Sequence, residues 1–403
     1  MRRLIILLAL FMNTSAFAGE ECDPCLKGCY DKGFVFSNDW ISLKVNACMQ
    51  ADARIFTDWS PRDNDFYIRR ARLLLSGKVY QDWVYRFTMA FEGANASLYE
   101  GWLEYGKFDW MKPRVGEFRM PFCMEAMHSA LWLQFIERGL GPTNISPFED
   151  LGAQVAGVLW GERVNYAVGV YNGQGRNTSD TDNDKEVTAR VFVQPFLCCE
   201  CHPLQQWTFG GSISTGRDFE NVAGETYRTA ARTPFVTFAP LTWEDGTRLR
   251  WGAESELVWN SWIAQGEYLV YKRAGIQDAV AVDTVESQAW YASLSYVLTG
   301  ECKKSNAPIC PCNLFDPCKC RWGAWEVGVR YEEFKTEESA FVNGLITGAE
   351  KVSAWTGGLN WTPNEHVRIM LNYIYTDFHE DIAVDTSLID HEHALLLRFQ
   401  WSF

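Results

Sequence analysis

The final stretch of the chain alternates between apolar and polar side chains. Every odd-numbered position from Leu395 to Phe403 is Leu, Phe or Trp, whereas the even-numbered positions from Arg398 to Ser402 are polar or charged. Successive side chains of a β-strand point to opposite faces, so this segment has one apolar and one polar face. An aromatic-rich strand of this kind is typical of transmembrane β-barrels, whose outer surface meets lipid and whose lumen meets water.

The same alternation recurs back through the chain and predicts sixteen strands. Short turns and long loops between them fall on opposite ends, as antiparallel pairing requires, and an even number allows a barrel to close. Sixteen strands are enough to enclose an aqueous channel. The predicted fold class is therefore all-β, a 16-stranded antiparallel transmembrane β-barrel. The predicted strands are 41–56, 66–79, 84–93, 98–108, 112–118, 153–160, 164–173, 187–196, 207–215, 248–259, 262–273, 288–300, 325–334, 353–361, 367–378 and 393–403.

The beginning of the chain predicts export. Residues 1–18 combine a basic start, a short apolar run and the small-residue pattern Ala16-Phe17-Ala18, which indicates a signal peptide. Residues 19–40 are predicted as a cysteine-containing periplasmic N-terminal segment and residues 41–403 as the barrel. With 51 acidic and 37 basic residues, the net charge of −14 argues against nucleic acid as a partner. Together these features predict a protein of the cell outer membrane in contact with its lipid.

One predicted loop is much longer than the others. Residues 119–150 form the third loop on the outer side, and their Met, Phe and Trp content disfavours a loop that extends into water. We expect this loop 3 to fold into the lumen and narrow it, with Arg119, Glu125, Glu137 and Arg138 as constriction residues. The alternatives are a cap over the outer mouth and a contact between subunits.

The register of the predicted strands assigns charged side chains to the lumen. Twelve bases and nine acids face inward, a weak positive excess, and rings of bases favour anions. Arg70 and Arg72 form the densest basic patch, and a guanidinium fork suits phosphate oxygens, although both could instead pair with glutamates across the wall. The predicted pore-lining bases are Lys44, Arg54, Arg70, Arg72, Lys78, Arg86, Arg190, Arg248, Arg250, Arg330, Arg368 and Arg398.

Several stretches carry a family resemblance. FYIRRARLLLSGK (66–78), VGEFRMPFCM (115–124), AWEVGVRY (324–331), GLNWTP (358–363) and the terminal strand resemble the phosphate-selective porin O/P family. The resemblance implies a homotrimer of sixteen-stranded porins, each a channel for passive diffusion of small hydrophilic solutes and ions such as phosphate. It implies no catalysis and no cofactor. The acids in loop 3 depart from a purely anion-attracting design.

Cysteine is the unusual residue of this chain. Eleven of the thirteen cysteines fall into three clusters, which strand parity assigns to the periplasmic side, while Cys48 and Cys123 are solitary. Exported proteins meet oxidising conditions, and an odd count leaves at least one thiol without a partner in the chain. The hypothesis is a disulfide network with neighbouring envelope proteins, similar to cysteine-rich proteins of chlamydia-like bacteria. The disulfide candidates are Cys22, Cys25, Cys29, Cys198, Cys199, Cys201, Cys302, Cys310, Cys312, Cys318 and Cys320.

Alternatives to these interpretations stay open. Zinc could bind the close thiols, but the C-x-C spacing differs from the usual C-x2–4-C of structural zinc sites. Cys48 and Cys123 could bridge or remain two separate thiols. No Ser-His-acid pattern predicts an enzyme. The long outer loops 217–247 and 335–352 leave open a structural or adhesive protein that uses the barrel as an anchor.

Overall fold

The computed structural model describes residues 27–57, 62–93, 95–180, 183–199, 202–384 and 387–403. The predicted signal peptide and three of the cysteines, Cys22, Cys25 and Cys201, lie outside these residues. The strands are β1 (Lys27–Tyr30), β2 (Phe34–Ser37), β3 (Ile41–Phe56), β4 (Asp65–Val79), β5 (Trp83–Ala90), β6 (Ser97–Tyr105), β7 (Lys112–Arg119), β8 (Glu149–Leu159), β9 (Val164–Tyr171), β10 (Glu186–Val193), β11 (Gln206–Asn221), β12 (Thr226–Arg228), β13 (Pro234–Phe238), β14 (Trp243–Trp259), β15 (Trp262–Gln277), β16 (Val282–Val297), β17 (Ala324–Thr336), β18 (Ile346–Gly348), β19 (Lys351–Asn364), β20 (Val367–Val384) and β21 (Ser387–Ser402).

Sixteen of these strands form a closed antiparallel barrel, as the alternation predicts. They are β3–β11, β14–β17 and β19–β21, each paired with its neighbours in chain order. Closure comes from pairing of the last strand with the first, in which Arg398 lies opposite Asp52. On β21, Leu397, Phe399 and Trp401 are exposed on the outer face, whereas Arg398 and Gln400 are buried on the inner face. The predicted fold class is therefore confirmed.

Several strands extend further than predicted. The strands β11 and β14, predicted as 207–215 and 248–259, run on past these limits at the outer end and remain paired from Gly216–Arg248 to Asn221–Trp243. The extensions carry charged residues that interrupt the apolar alternation. Beyond the apolar layer of the membrane, backbone hydrogen bonds between strands continue although neither face needs to be apolar. The alternation of apolar and polar side chains therefore ends before the strand does.

The connection between β11 and β14 folds back toward the barrel strands. Its short strands β12 and β13 join β18 in a separate three-stranded sheet. The ring of Tyr227 lies 5.3 Å from that of Phe334 on β17, and the ring of Phe235 lies 5.2 Å from the same side chain. These rings belong to an apolar cluster that includes inward side chains of β15, β16, β19 and β20. The inner faces of those strands are consequently covered by protein.

The segment 120–148 between β7 and β8, called loop 3 below, contains two short helices, α1 (Met124–Met127) and α2 (Leu140–Ile145). Its backbone N–H groups bind side chains of distant barrel strands. Met124 N donates to Glu267 on β15 at 2.7 Å, Leu140 N to Glu332 on β17 at 2.6 Å, and Ile136 N to Asn372 on β20 at 2.7 Å. The bonds from Met124 and Leu140 satisfy donors that the starts of the two helices leave open.

The end of the barrel where Phe403 lies, the C-terminal end, carries paired aromatic rings. Examples are Trp83 with Tyr105 at 5.0 Å and Trp262 with Tyr296 at 4.3 Å between ring centres. Such rings suit the boundary between lipid and water. Among the described residues, no helix is long and apolar enough to cross a bilayer.

The described part of the predicted N-terminal segment 19–40, from residue 27 onward, packs against the barrel. The hairpin β1–β2 pairs with β3 through Phe34–Ser37, beside the stretch of β3 that β21 no longer reaches. The connection 298–323 between β16 and β17, called the cysteine-rich turn below, lies at the same end, where Phe315 N donates to Pro363 O at 2.9 Å. A third short helix, α3 (Glu338–Val342), lies in the connection after β17.

Candidate functional site: a basic cavity along one side of the barrel

A cavity of about 590 Å³ lies between strands β3–β7, loop 3 and the cysteine-rich turn. Strands β3–β7 are called the open half of the barrel, and the covered strands β14–β17 and β19–β21 the filled half. Acidic side chains at the cavity are limited to Glu100 and Glu365. The basic side chains at the cavity are Lys32, Arg70, Arg72, Arg86, Arg114 and Arg119. Three acids just outside the lining, Glu92, Glu104 and Glu149, pair with these bases, so among the described residues six cations meet five carboxylates, and this surface, called the basic cavity, keeps a small positive balance.

Side chains two residues apart on a strand point the same way, and this period explains most positions of the basic residues at the cavity. Arg70, Arg72 and Leu74 are two residues apart on β4 and point the same way, and Arg86 and Arg114 occupy inward positions on β5 and β7. The prediction included Arg70, Arg72 and Arg86 as lumen-facing bases. It missed Arg114, although its position on β7 follows the same alternation.

A β-bulge places Arg69 beside Arg70. Gln50 on β3 pairs with Arg70, whereas the next residue, Ala51, pairs with Ile68, so Arg69 has no opposite residue of its own. The extra residue rotates the strand and brings two consecutive arginines to the inner side. Arg69 then binds Glu137 of loop 3 through Nε at 2.7 Å and Nη2 at 3.1 Å. Strict alternation predicts an outward Arg69, so the sequence pattern could not reveal this contact.

Arg72 and Arg114 each contact a carboxylate and lie over an aromatic ring. Arg72 lies 3.1 Å from Glu92 and sits 3.4 Å from the centre of the Tyr99 ring. Arg114 binds Glu104 at 2.6 Å and sits 4.1 Å from the centre of the Trp102 ring. An aromatic face stabilises a guanidinium without cancelling its charge.

Arg86 and Arg70 are the least neutralised cations of the cavity. The nearest carboxylate to Arg86 is Glu100 at 3.6 Å, and 43% of the Arg86 side chain is exposed. Arg70 is buried and donates to Gln50 Oε1 at 2.8 Å, and no carboxylate of the described residues lies within ion-pair distance of it. The charges of Arg69, Arg398 and Arg138 also act on Arg70 and are partly offset by that of Glu137. A site with this excess favours an anion over a cation.

The four predicted constriction residues all form hydrogen bonds or ion pairs with other groups of this protein. Arg119, at the end of β7, binds Glu149 and the carbonyl of Ala126. Arg138 donates to the carbonyls of Glu125 at 2.9 Å and His128 at 2.7 Å, which braces the loop internally. Glu125 accepts from Gly139 N at 2.9 Å. Only Arg119 of the four borders the basic cavity.

Glu137 is held by two arginines of the barrel wall. Besides Arg69, Arg398 Nη2 lies 3.1 Å from its carboxylate. Burial alone would raise the pKa of Glu137, but the charges and hydrogen bonds of these arginines outweigh burial and leave the pKa below its usual range. Glu137 is therefore an anchor of loop 3 that stays ionised.

Six of the predicted pore-lining arginines do not border the basic cavity. They face inward and form ion pairs, because acids of neighbouring strands and loops lie opposite them, and all of them except the partly exposed Arg190 are buried. The ion pairs are Arg190 with Glu254, Arg248 with Asp218, Glu220 and Glu244, Arg250 with Glu186, Arg330 with Glu125 and Glu332, Arg368 with Glu326, and Arg398 with Asp52 and Glu137.

The remaining three predicted bases lie near the mouths or in loop contacts. Lys44 lies 3.7 Å from Asp31 of the N-terminal hairpin, and Arg54 donates to the carbonyl of Ala231 at 3.0 Å. Lys78 is exposed near the end of β4. None of the three borders the basic cavity within the described residues.

The ten cysteines of the described residues are all free thiols. Cys48 and Cys123 are buried at separate places. Nowhere in the described part of the chain do three His, Cys, Asp or Glu side chains converge as metal ligands. The eight exposed thiols, all in segments at the C-terminal end, are Cys29, Cys198, Cys199, Cys302, Cys310, Cys312, Cys318 and Cys320.

Comparison with known proteins gives consistent matches. The family described as "Phosphate-selective porin O and P" matches residues 43–403. Porin O of Pseudomonas aeruginosa is 25% identical over 407 residues, covering 91% of each chain. Among solved structures, OmpT of Vibrio cholerae in its trimer form has a TM-score of 0.58 at 10% identity and covers 91% of this chain and 100% of its own. The anion-selective porin from Comamonas acidovorans has a TM-score of 0.56 at 10% identity, covering 90% and 100%.

Proposed function

The chain belongs to the phosphate-selective porin O and P family, and from this premise we propose that its basic cavity makes the channel anion-preferring. The protein is an outer-membrane porin, a β-barrel channel for small hydrophilic solutes. The observation that carries the proposal is that two cations of the cavity are weakly neutralised: Arg70 has no carboxylate at ion-pair distance among the described residues, and the half-exposed Arg86 lies 3.6 Å from its nearest one. Bases along a pore lower the barrier for anions, and guanidinium groups bind phosphate oxygens in pairs.

Loop 3 is proposed as the constriction of this channel. The bonds from its backbone to Glu267, Glu332 and Asn372 support a position across the lumen, where it leaves passage along the open half. Arg119 then faces the permeating ion, while Glu137 and Arg138 hold the loop in place. Removing Glu137 would loosen the constriction without removing a cation of the pathway.

Reconstitution into a planar bilayer tests the anion preference. The reversal potential across a KCl gradient should indicate chloride over potassium, and added phosphate should reduce the chloride current. Arg72→Gln should shift the reversal potential toward that of a neutral pore. Arg217→Gln is the matched control, because Arg217 is an exposed arginine that does not line the cavity. Cation preference of the unmodified protein would overturn the proposal.

The porin is further proposed to be a homotrimer with its C-terminal end in the periplasm. The solved OmpT form that resembles this chain is described as a trimer, which supports the assembly. Mild chemical cross-linking in detergent, followed by gel electrophoresis, should give dimers and trimers but no larger species. A monomer at every cross-linker concentration would contradict the assembly.

A second role, structural cross-linking in the envelope, is proposed from the eight exposed thiols at one end of the barrel. Thiols gathered on one rim can form disulfides with other proteins on that side of the membrane. Envelopes isolated with a thiol-blocking agent should contain this chain in high-mass complexes that reductant dissolves. The same monomer band with and without reductant would exclude the role.

A further inference from the structure

One of the two solitary cysteines lies in the wall of the basic cavity. Cys48 on β3 lines this cavity, although only 6% of the residue is exposed. Cys123, the other buried thiol, belongs instead to the apolar cluster that covers the filled half. A thiol in an apolar core is chemically inert, whereas a thiol beside arginines at a polar wall can react. Cys48 is therefore the buried thiol that a solute of the cavity meets.

Strand pairing places Cys48 beside the arginines of β4. Cys48 lies directly opposite Arg72, and Gln50, the next inward residue of β3, lies opposite Arg70. Directly opposite side chains of antiparallel strands have Cβ atoms about 5 Å apart. Burial opposes a charged sulfur at Cys48, whereas the charges of Arg72 and Arg70 and a hydrogen bond from the Arg72 backbone favour it. The thiolate, which is the reactive form of cysteine, is thus stabilised by cations of the cavity.

Two further groups of the lining lack a full set of partners. Arg70 is buried and binds Gln50, but no carboxylate of the described residues lies within ion-pair distance of it. Thr88 on β5 is 2% exposed, and its Oγ1 has no hydrogen-bond partner in the described part of the chain. Buried polar groups are normally satisfied, so these two indicate a polar occupant of the cavity. The volume of about 590 Å³ lies within the range of about 300–1,000 Å³ that small-molecule sites have.

The charge of the cavity selects among the reagents that modify thiols. Arg70 and the half-exposed Arg86 are its weakly neutralised cations, so anions concentrate there and cations are repelled. Disulfides persist outside the cytoplasm and exchange with a thiolate without any further oxidant. A small disulfide that carries carboxylates combines both properties, because guanidinium groups bind carboxylates through paired hydrogen bonds.

We propose that Cys48 is a modification site at which a small anionic disulfide forms a mixed disulfide inside the channel. The inference rests on the proposed function, because it concerns the same basic cavity. The Cys48 thiolate attacks one sulfur of the disulfide, the new S–S bond forms and the old one breaks. The electron pair leaves with the second sulfur, which takes up a proton equivalent to the one that Cys48 released. The Cys48 sulfur is oxidised and the leaving sulfur is reduced, and the attached anion offsets the cations of the cavity.

Oxidised glutathione, a disulfide whose two halves carry carboxylates, is the probe. Folded, reduced, full-length protein is incubated with it, and the modified cysteines are identified by peptide mass spectrometry. Cys48 should carry the adduct and Cys123 should not, although both are buried. The exposed thiols report that the reagent is active, so an unmodified Cys48 would overturn the proposal without any variant.

Bilayer recordings test whether the adduct lies in the pathway. All variants carry Cys310→Ser, because Cys310 is exposed and also borders the cavity. In this background oxidised glutathione should lower the conductance, and dithiothreitol should restore it. Adding Cys48→Ser should abolish the fall, whereas adding Cys318→Ser, which removes an exposed thiol outside the lining, should not. An equal fall with Cys48→Ser would overturn the proposal.

Two reagents of opposite charge test the role of the arginines. Sulfonatoethyl and trimethylammonioethyl methanethiosulfonate modify thiols by the same chemistry and are of similar size, so the ratio of their rates cancels access. The anionic reagent should modify Cys48 faster by on the order of tenfold. Arg72→Gln should lower this ratio, whereas Arg217→Gln, outside the lining, should not. A ratio at or below one would refute an anionic ligand.

The two proposals fail separately. An anion-preferring channel whose Cys48 takes no adduct would refute this inference alone. Cation preference of the unmodified protein would refute the proposed function whatever the state of Cys48.

Discussion

The two halves of this barrel carry arginines on equivalent inward positions but use them differently. In the open half, Arg72 and Arg86 have one carboxylate each and border the basic cavity. In the filled half, Arg248 is buried and contacts Asp218, Glu220 and Glu244. Strand alternation places a side chain on the inner face, but the groups opposite it decide whether its charge reaches a solute.

The difference between the two halves means that arginines of one half mainly affect stability and those of the other mainly affect ion selectivity. Breaking a buried ion pair leaves an uncompensated charge, which is costly, whereas an exposed pair contributes little to stability. Substitutions in the filled half should therefore weaken the fold, and substitutions in the open half should change the current.

The largest effect is expected at the buried pair that closes the barrel. Arg398→Met leaves Asp52 and Glu137 without their shared cation and should lower the free energy of unfolding by about 3–5 kcal/mol. Arg86→Met, its control in the open half, should cost less than about 1 kcal/mol. Urea unfolding followed by tryptophan fluorescence measures both, and similar losses would erase the distinction between the halves.

The next effect concerns selectivity. Arg86→Gln removes a half-exposed cation from the cavity, and one unit charge acting at about 4 Å through water changes ion energy by ~1 kcal/mol, or roughly fivefold in permeability ratio. Both substitutions should lower the permeability of chloride relative to potassium, and Arg86→Glu should lower it further than Arg86→Gln. The measurement is the reversal potential in a KCl gradient, and an unchanged ratio in both variants would remove Arg86 from the pathway.

A smaller effect is expected from the aromatic partner. Trp102 lies beside the guanidinium groups of Arg114 and Arg86, at 4.1 Å and 5.6 Å from the ring centre. Trp102→Leu removes contacts worth about 0.5–1 kcal/mol and should alter conductance while anion preference persists. Trp102→Phe is the conservative control. Reversal of selectivity in Trp102→Leu would mean that the ring, rather than the charge, sets the preference.

The smallest effect is expected from moderate acid. Glu137 has a lowered pKa, so its contribution to stability is complete above the ordinary Glu pKa of about 4.3 and is lost only as pH falls through its lower folded value. Burial, together with nearby arginines, lowers the pKa of His128 to about 3, so this ring stays neutral in the same range. Glu137→Gln should thus leave the pH dependence of single-channel conductance between pH 8 and about 5 unchanged. If the conductance of the unmodified protein titrates in that range and Glu137→Gln abolishes the titration, Glu137 is not the permanently ionised anchor described above.

The sequence predicted the barrel well because a period of two is a local property. All sixteen strands, and the outward face of Leu397 and Phe399, follow from it. The division of the lumen into an open half and a filled half does not follow from this period. It depends on which loop packs against which barrel strands. Nothing local to Arg368 or Arg330 shows that Glu326 and loop 3 lie against them, and the bulge at Arg69 breaks the very period on which the prediction depends.

The N-terminal hairpin has a consequence for the order of assembly. Asn46 Nδ2 donates to the carbonyl of Phe403 at 2.9 Å, and the ring of Phe34 packs edge-on against that of Phe403 at 5.4 Å. Strand β3 alone provides the backbone pairing of the hairpin, but Phe403 completes its docking surface only after the first and last strands have met. Full protection of this hairpin from protease should therefore follow closure of the barrel, so a time course of cleavage reports on the final step of folding.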